Sequence, residues 1–325
     1  MYGAATVWRR RWYAAAPSRR RRLARPVISV GNLTVGGSGK TPIAGYIARL
    51  LLESGERPAI LSRGYGRRNK SEAVTIVSDG AVIRAGVESA GDEPLMLARA
   101  LPGVAVVVGA SRYLAGRVAE QQLGVTVHVL DDGFQHLQIA RTVDLLLVSE
   151  DDLSDFPLPA GRLREPLAAG AVADAVLVSA GYPTAVDRIA RAIGVPTAFQ
   201  ITRSLGAPRT VGPDSDTVVV PSQARVFAVA AIAQPDLFFA DITAAGWHLV
   251  GSIGFRDRHW FTPRDMVRIR AAAKAAAAAI ILTTDKDAVR LEGCDLGDLP
   301  VAAVPILAGV EPAAAFRDWL LDRIR

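Results

Sequence analysis

The chain has little cysteine, few aromatic residues and no long hydrophobic run. Cys294 is the single cysteine among 325 residues, which excludes an intramolecular disulfide and a cysteine-rich metal site and fits a reducing compartment. No uninterrupted apolar stretch reaches the roughly 18 residues of a membrane-spanning helix. Half of the residues are nevertheless hydrophobic, so the chain can form a large core, arranged as two domains or as one domain with a substantial addition.

Acidic residues are absent from residues 1–26, a segment that contains eight arginines. The rest of the chain keeps 30 of the 38 basic residues against 32 acidic residues, so only this arm is basic. Ala5, Trp8 and Trp12 recur at helical spacing with arginines between them, which predicts an amphipathic helix at an anionic membrane surface. A nucleic-acid-binding arm, an organelle transit peptide and a solvated, frayed terminus are the alternatives. A secretory signal does not fit, because its apolar core is missing.

Residues 27–50 have the pattern of a phosphate-binding loop. A β-branched apolar run leads into a glycine-rich loop, and a helical pattern with Ile43, Ile47 and Leu50 on one face follows. Backbone N–H groups and a helix N-terminus converge on an anion in such a loop. The strict pattern has glycine at the position of Thr34, so the match is weakened, and a simple connecting turn is the alternative. The candidate phosphate-binding residues are Thr34, Val35, Gly36, Gly37, Ser38, Gly39, Lys40 and Thr41.

Residues 125–136, VTVHVLDDGFQH, form a second informative stretch. An apolar strand that delivers acidic residues at its carboxyl end can hold Mg²⁺ beside a phosphate-binding loop. Side chains alternate along a strand, so Asp131 and Asp132 are expected to point in different directions. One would hold the metal or its water, and the other would orient neighbouring groups.

Two further loops follow apolar segments. Residues 62–67, SRGYGR, make a flexible cationic loop after a predicted strand, where ligands bind in open α/β sheets. An exposed turn is the alternative. Residues 90–94, AGDEP, open a predicted helix, with Asp92 as a candidate N-cap and Pro94 in the first turn.

Strands alternate with helices along the chain, which predicts an α/β fold with a parallel sheet covered by helices on both faces. We divide the chain into a basic amphipathic segment (1–25), a phosphate-binding core domain (26–152) and a C-terminal α/β domain (153–325). The last boundary is placed near the proline-rich stretch of residues 156–166. The alanine-rich stretch of residues 264–279 is predicted to be helical.

Seven motifs in a fixed order resemble the tetraacyldisaccharide 4′-kinases, the lipid A kinases of Gram-negative bacteria. They are SVGNLTVGGSGKTP, LSRGYGR, GDEP, LDDGFQH, LPAGRLREP, GFRDRHWFT and TTDKDAVRL, and they extend over nearly the whole chain. With Thr34 in place of the first glycine, the loop resembles that family's own version of it. The resemblance implies a P-loop NTPase-like core, a smaller α/β domain and a last helix that can pack back on the core. It also implies a peripheral enzyme at the cytoplasmic face of the inner membrane.

The reaction implied by the resemblance transfers the γ-phosphate of ATP to the 4′-hydroxyl of a lipid-linked glucosamine disaccharide 1-phosphate, with Mg²⁺ as cofactor. By matching positions, Lys40 and Thr41 hold the nucleotide phosphates, and the metal lies near Thr41 and the two aspartates. Asp92 is the candidate general base, assisted by His259, Lys40 and Arg164. The substrate would be lined by Asn32, Tyr65, Arg112, His136 and Arg164.

One motif departs from the family pattern. That pattern has Asp-His-His or Asp-His-x after Gly-Phe-x, and its first histidine pairs with the catalytic aspartate. Here the position is Arg258, and the next residue is His259. Either His259 takes over as partner of Asp92, which we slightly favour, or Asp92 works with Arg258, which cannot exchange protons near neutral pH.

Two other functions compete with the kinase. One is an ATPase of the same loop type that binds nucleic acid through residues 1–26, and the other is a nucleotide-dependent binding switch without catalysis. The rest of the chain shows no further basic patch, so nucleic acid is not expected as a partner. The expected partners are the lipid-linked disaccharide and an anionic membrane surface, and no obligate protein partner is inferred.

Overall fold

The computed structural model describes residues 2–37, 39–69, 73–179, 184–212 and 216–325. The helices in these ranges are α1 (Tyr2–Ala14), α2 (Lys40–Glu53), α3 (Val87–Ala90), α4 (Asp92–Ala100), α5 (Arg112–Leu123), α6 (Thr184–Ile193), α7 (Pro235–Ala244), α8 (Pro263–Ala275), α9 (Asp285–Leu291) and α10 (Ala313–Ile324). Within the described ranges, short 3-10 helices cover Pro17–Arg19, Glu150–Ser154 and Leu167–Val172. None of the helices in the described ranges combines the length and hydrophobicity needed to cross a membrane.

The strands of the described ranges form two sheets. They are β1 (Val27–Asn32), β2 (Pro58–Ser62), β3 (Val74–Asp79), β4 (Ala105–Gly109), β5 (Val127–Asp131), β6 (Val143–Ser149), β7 (Ala175–Ser179), β8 (Ala198–Leu205), β9 (Arg209–Thr210), β10 (Arg225–Ala230), β11 (His248–Gly254), β12 (Ile280–Thr284), β13 (Val301–Val304) and β14 (Ile306–Glu311).

The first sheet has the order β14-β8-β7-β6-β1-β5-β2-β4-β3 among the described strands. Its inner strands are parallel, and β3 and β14 run antiparallel at the edges. Every residue of β1, β2, β4 and β5 is buried, as expected for strands covered on both faces. The predicted α/β fold with a parallel sheet is confirmed. The loops after β1, β2, β4 and β5 therefore meet at one edge.

The second sheet has the order β11-β10-β12-β13-β9. It is parallel except for β9, which pairs antiparallel with β13. Helix α7 packs on one face of this sheet through Phe238 and Ile242, and α8 packs on the other face through Met266 and Ile269. Helix α8 ends at Ala275, four residues before the predicted end.

The two sheets divide the chain differently from the predicted boundary at residues 152/153. Strands β7 and β8 lie after that boundary, yet they extend the first sheet, and the second sheet begins only at β9. The proline-rich stretch of residues 156–166 is a loop of the first sheet that pairs with residues 33–35, which explains why its composition resembles a linker. The chain then returns through β14 to the first sheet. Phe316 and Leu320 of α10 are buried against it, so the last helix packs on the core.

Candidate active site

The loop between β1 and α2 has the predicted order of strand, glycine-rich loop and helix. Gly36 and Gly39 have φ values of 110° and 74°, a region that glycine adopts without strain. Thr34 is buried, and its hydroxyl accepts a 2.7 Å hydrogen bond from Nδ2 of Asn32. Helix α2 begins directly after Gly39, so its N-terminus points into the loop. Ser38, which the sequence also assigns to this loop, lies outside the described residues.

Lys40 is held by partners from two neighbouring segments. Its Nζ donates a 2.9 Å hydrogen bond to Oδ1 of Asn32 and lies 3.8 Å from Oδ1 of Asp132. Burial lowers the pKa of the Lys40 ammonium group, and the charge of Asp132 opposes this shift. Asn32 is fully buried, and its side chain holds the Lys40 ammonium group in position from the protein interior.

Asp131 ends β5 beside the first residues of α2. The Thr41 hydroxyl donates to its carboxylate, with distances of 3.3 and 3.4 Å from Oγ1 to the two oxygens. Parallel pairing of β5 with β1 brings these groups together, since Val30 is in register with Asp131. Burial raises the pKa of Asp131 to about 7, and the charges of Glu93 and Asp132 add to this rise. A cation bound at this carboxylate would offset the free-energy cost of burying its negative charge.

Asp132 points in a different direction from Asp131, as the sequence predicts, but the reason is that the chain has left β5 and turns at this residue. Its φ is 52°, and its side chain is 42% exposed. Arg164 binds its carboxylate through two hydrogen bonds of 2.8 and 3.0 Å. Burial alone would raise the pKa of Asp132, but Arg164 and Lys40 hold it below its usual value. The backbone of Arg164 is fixed in turn, because its N–H donates to the Leu33 carbonyl at 2.6 Å.

A group of basic side chains lies around His136, and one of them, Arg112, also interacts with the two aspartates. We call it the cationic cluster, and its members are Arg9, Arg63, Arg112, Arg141 and His136. Burial lowers the pKa of His136 to about 4, and the charges of the four arginines lower it further. The imidazole is therefore neutral near neutral pH. Arg9 and Arg141 donate to the carbonyls of Gln135 and Phe134 at 3.0 and 3.1 Å, which ties the cluster to the loop after β5.

The sequence identified only part of this cluster. Arg112 and His136 were predicted, and Arg112 is buried with its NH1 donating to the Ala110 carbonyl at 3.3 Å. Arg9 and Arg141 were missed, because their approach depends on contacts between distant parts of the chain. A signal for Arg63 was present in the SRGYGR loop, but it was not assigned a role.

Asp92 lies in the first turn of α4. Gly91, with a φ of 89°, is the N-cap in place of the predicted Asp92, because Asp92 already has helical backbone geometry. Oδ1 of Asp92 accepts a 3.0 Å hydrogen bond from the N–H of Glu93. Its Oδ2 is buried, makes no hydrogen bond within the described residues, and lies 3.8 Å from Nε of Arg290.

His259 does not pair with Asp92 in this structure. Its Nε2 lies 2.9 Å from Oδ2 of Asp265, and its ring stacks on Phe255 with a centroid distance of 4.7 Å. Asp265 is fixed because it forms the capping box of α8 with Thr262. The pairing favoured from the sequence is therefore replaced by a contact within residues 259–265.

Arg258, the other candidate partner, also binds elsewhere. Its guanidinium lies over the Tyr65 ring at 4.3 Å, and its NH2 is 3.4 Å from Oε1 of Glu93. Lys286 donates to the same oxygen at 2.9 Å and lies 3.5 Å from Asp257. These ion pairs join α4 of the first sheet to the loop after β11 and to α9 of the second sheet.

Comparison with known proteins identifies one family. The model of the family described as tetraacyldisaccharide-1-P 4′-kinase matches residues 1–325. A tetraacyldisaccharide 4′-kinase of Desulfotalea psychrophila is 42% identical over 275 residues, which cover 82% of this chain and 78% of that protein. One from Syntrophus aciditrophicus is 35% identical over 341 residues, which cover 100% and 91%.

A solved structure agrees with these relatives. LpxK from Aquifex aeolicus, in complex with ATP, matches with a TM-score of 0.80 and 30% identity, and the match covers 100% of this chain and 96% of that one. These matches give no support to the nucleic-acid alternative for the arginine-rich arm.

Proposed function

The chain belongs to the tetraacyldisaccharide-1-P 4′-kinase family, and we propose that the edge of the first sheet is where its phosphoryl transfer takes place. The protein is an ATP-dependent kinase of lipid A biosynthesis that phosphorylates the tetraacyldisaccharide. The observation that carries the proposed site is the convergence of Lys40, Thr41 and Asp131, with 3.3 Å between the Thr41 hydroxyl and the Asp131 carboxylate. These are the groups that phosphoryl transfer requires beside a nucleotide.

The ATP phosphates are assigned to the loop of residues 34–41. The Aquifex relative is in complex with ATP, which supports ATP as the nucleotide. The backbone of Gly36, Gly37 and Gly39 and the N-terminus of α2 offer N–H groups to the phosphate oxygens, whereas the N–H of Val35 already donates to the Arg162 carbonyl at 2.9 Å. Lys40 would move from Asn32 to these oxygens when the nucleotide binds, because a phosphate carries more negative charge than an amide oxygen.

Mg²⁺ is assigned to Thr41 and Asp131, with Asp132 next to it. The residues fit this ion, because Mg²⁺ prefers hard oxygen ligands and often takes one or two carboxylates together with phosphates and waters. The raised pKa of Asp131 supports the fit, since a buried carboxylate of this kind needs a counter-charge. When bound, the ion would neutralise charge on the β- and γ-phosphates.

Asp92 is assigned as the general base for the 4′-hydroxyl. A sugar hydroxyl is a weak nucleophile, so a carboxylate within hydrogen-bond reach assists by accepting its proton. The Oδ2 of Asp92 supports this role, because it is buried without a hydrogen-bond partner among the described residues. The catalytic role predicted for His259 stays a prediction, and in this geometry its ring is engaged by Asp265.

The acceptor is assigned to the basic groups beyond the nucleotide loop. Arg164 and Lys40 would stabilise negative charge on the transferring phosphoryl group. Arg112 and His136 in the cationic cluster would receive the phosphate of the disaccharide, and the exposed ring of Tyr65 would contact the sugar. Both sets of groups lie at the same edge of the first sheet.

Helix α1 is assigned to the membrane surface that carries the lipid substrate. Trp8 and Trp12 are 68% and 41% exposed, and the guanidinium of Arg19 lies 4.2 Å from the Trp12 ring. Exposed rings beside arginines suit the headgroup layer of an anionic bilayer. The opposite side of α1 is docked, since Nε of Arg10 donates to Glu165 at 2.6 Å. We assign the helix to a position next to the proposed acceptor site, as part of a peripheral enzyme at the cytoplasmic face of the inner membrane.

The role of Asp92 is tested by single-turnover phosphate transfer from ATP to the tetraacyldisaccharide 1-phosphate. Asp92→Asn keeps the shape of the side chain and removes the base, so transfer is expected to slow by about 100-fold or more. Asp318→Asn is the matched control, because Asp318 is exposed on α10. ATP binding is expected to be retained in both variants. Transfer at the wild-type rate in Asp92→Asn would rule out this assignment.

A further inference from the structure

Two buried polar atoms face each other between the two sheets without a hydrogen bond. They are Oδ2 of Asp92 and Nε of Arg290, which lie 3.8 Å apart. The side chains are 8% and 1% exposed, and within the described residues neither atom has a hydrogen-bond partner. Unsatisfied buried atoms are uncommon in folded proteins, so a complementary pair at this distance calls for an explanation.

Arg290 is held so that only its Nε edge faces Asp92. Its NH1 and NH2 donate to the carbonyls of His259 and Ala231 at 3.2 and 3.1 Å, and NH2 also pairs with Asp287. Asp287 is itself fixed, because the N–H of Ala231 donates to it at 2.8 Å. These contacts with residues of the second sheet and its loops therefore fix the guanidinium independently of Asp92.

Other charged groups near Asp92 are already committed to different partners. Lys286 and Arg258 both pair with Glu93, so they act on Asp92 through their charge alone. His259 is turned to Asp265. Arg290 is thus the cation whose donor lies nearest to the Asp92 carboxylate among the described ion pairs.

We propose that Arg290 is the positioning residue for Asp92, because its Nε is fixed 3.8 Å from the buried Oδ2. This inference rests on the role proposed for Asp92. A fixed positive charge at this distance attracts Oδ2 and so orients the Asp92 side chain towards Arg290. Arginine does not release its proton near neutral pH, so it cannot pass protons onward as a histidine would.

Asp92 therefore keeps the proton that it accepts from the 4′-hydroxyl until the transfer is complete. The O–H bond of the 4′-hydroxyl breaks, its oxygen bonds to the γ-phosphorus, and the bond from that phosphorus to the ADP oxygen breaks. The proton moves to the Asp92 carboxylate and leaves to solvent after the product departs. Arg290 remains charged throughout and takes no part in proton exchange.

The test is the pH dependence of kcat/KM for the tetraacyldisaccharide 1-phosphate in wild type, Arg290→Lys and Arg290→Gln. In Arg290→Gln the acid limb of the profile is expected to move to higher pH by about one unit or more, because the favourable charge is lost. Arg290→Lys is expected to keep the acid limb near its wild-type position with a lower kcat. KM for ATP is expected to be unchanged in both variants.

Controls separate this role from a structural one. Arg270→Gln removes an arginine that pairs with Asp295 on the surface of α8, and it is expected to behave as wild type. If Arg290→Gln does not fold because Asp287 is left unpaired, Asp287→Asn/Arg290→Gln removes both charges and is expected to show the same shifted limb.

The outcomes distinguish this inference from the proposed function. An unshifted acid limb in a folded variant that lacks the Arg290 charge, with Asp92→Asn inactive, overturns the inference alone. Full transfer by Asp92→Asn overturns the role of Asp92, and the inference with it.

Discussion

At the scale of single residues, two adjacent carboxylates have opposite environments. Asp131 ends a buried strand, so burial raises its pKa to about 7, whereas Arg164 and Lys40 hold the pKa of Asp132 below its usual value. The alternation of side chains along a strand predicted that the two side chains diverge, but in the structure they diverge because the chain leaves β5 and turns at Asp132. The partners could not be predicted in the same way, because Arg164 reaches Asp132 through the pairing of residues 162–164 with residues 33–35.

His136 offers a direct measurement of the cationic cluster. Burial and then the nearby arginines disfavour its imidazolium form, so its pKa lies at about 4 in the free protein. A bound phosphate would offset the positive charge of Arg112, Arg141 and Arg9 and is expected to raise this pKa. Titration of His136 by NMR, with and without the disaccharide 1-phosphate, measures the change. A pKa that does not move when the ligand binds would place the phosphate away from the cluster.

At the scale of elements, local patterns correctly predicted the secondary structure of residues 27–50. The β-branched run, the glycines and the helical pattern of residues 27–50 act within one stretch of chain, so strand, loop and helix follow directly. His259 was less predictable, although a signal existed. The pair Thr262 and Asp265 has capping-box spacing, and this box fixes the carboxylate that holds His259.

The capping box of α8 leads to a prediction on stability. Hydrogen bonds from Thr262 and His259 lower the pKa of Asp265 to about 2, so its contribution is present above the usual carboxyl pKa and is lost as the pH falls. Asp265→Asn is expected to reduce the free energy of unfolding by about 1 kcal/mol near neutral pH. The difference from wild type is expected to shrink between about pH 4 and about pH 2.

Denaturant unfolding of both proteins across this pH range measures the difference. Asp318→Asn, at an exposed position of α10, is the control and is expected to match wild type throughout. A constant difference at every pH would show that Asp265 stabilises α8 by a means other than its charge.

At the scale of the whole molecule, the sequence predicted an α/β fold but not how its strands are shared between the sheets. The sequences of strands β7, β8 and β14 do not show which sheet they join, and only long-range pairing assigns them to the first. The ion pairs of Glu93 with Lys286 and Arg258 likewise join residues more than 160 positions apart. Periodicity and spacing indicate only which residues are neighbours along the chain, so they cannot predict contacts between distant residues.

The exposed face of α1 leads to a prediction on membrane binding. Trp8→Ala/Trp12→Ala removes the exposed rings while leaving the docked contact of Arg10 with Glu165 intact, so partition onto anionic vesicles is expected to fall by about tenfold or more. Vesicle co-sedimentation measures the partition, and ATP binding is expected to be unchanged. Val219→Ala, which removes an exposed apolar side chain elsewhere, is the control. Equal partition of the double variant and wild type would remove α1 from the membrane contact.

The central claim is that the edge of the first sheet transfers the γ-phosphate of ATP to the 4′-hydroxyl of the disaccharide. Phosphorus NMR of the reaction of the wild-type protein with ATP, Mg²⁺ and the tetraacyldisaccharide 1-phosphate tests it most directly. We predict one new phosphomonoester signal on the lipid, at the 4′ position, in equal amount to the ADP formed. Release of inorganic phosphate with ADP, and no new signal on the lipid, would contradict the claim.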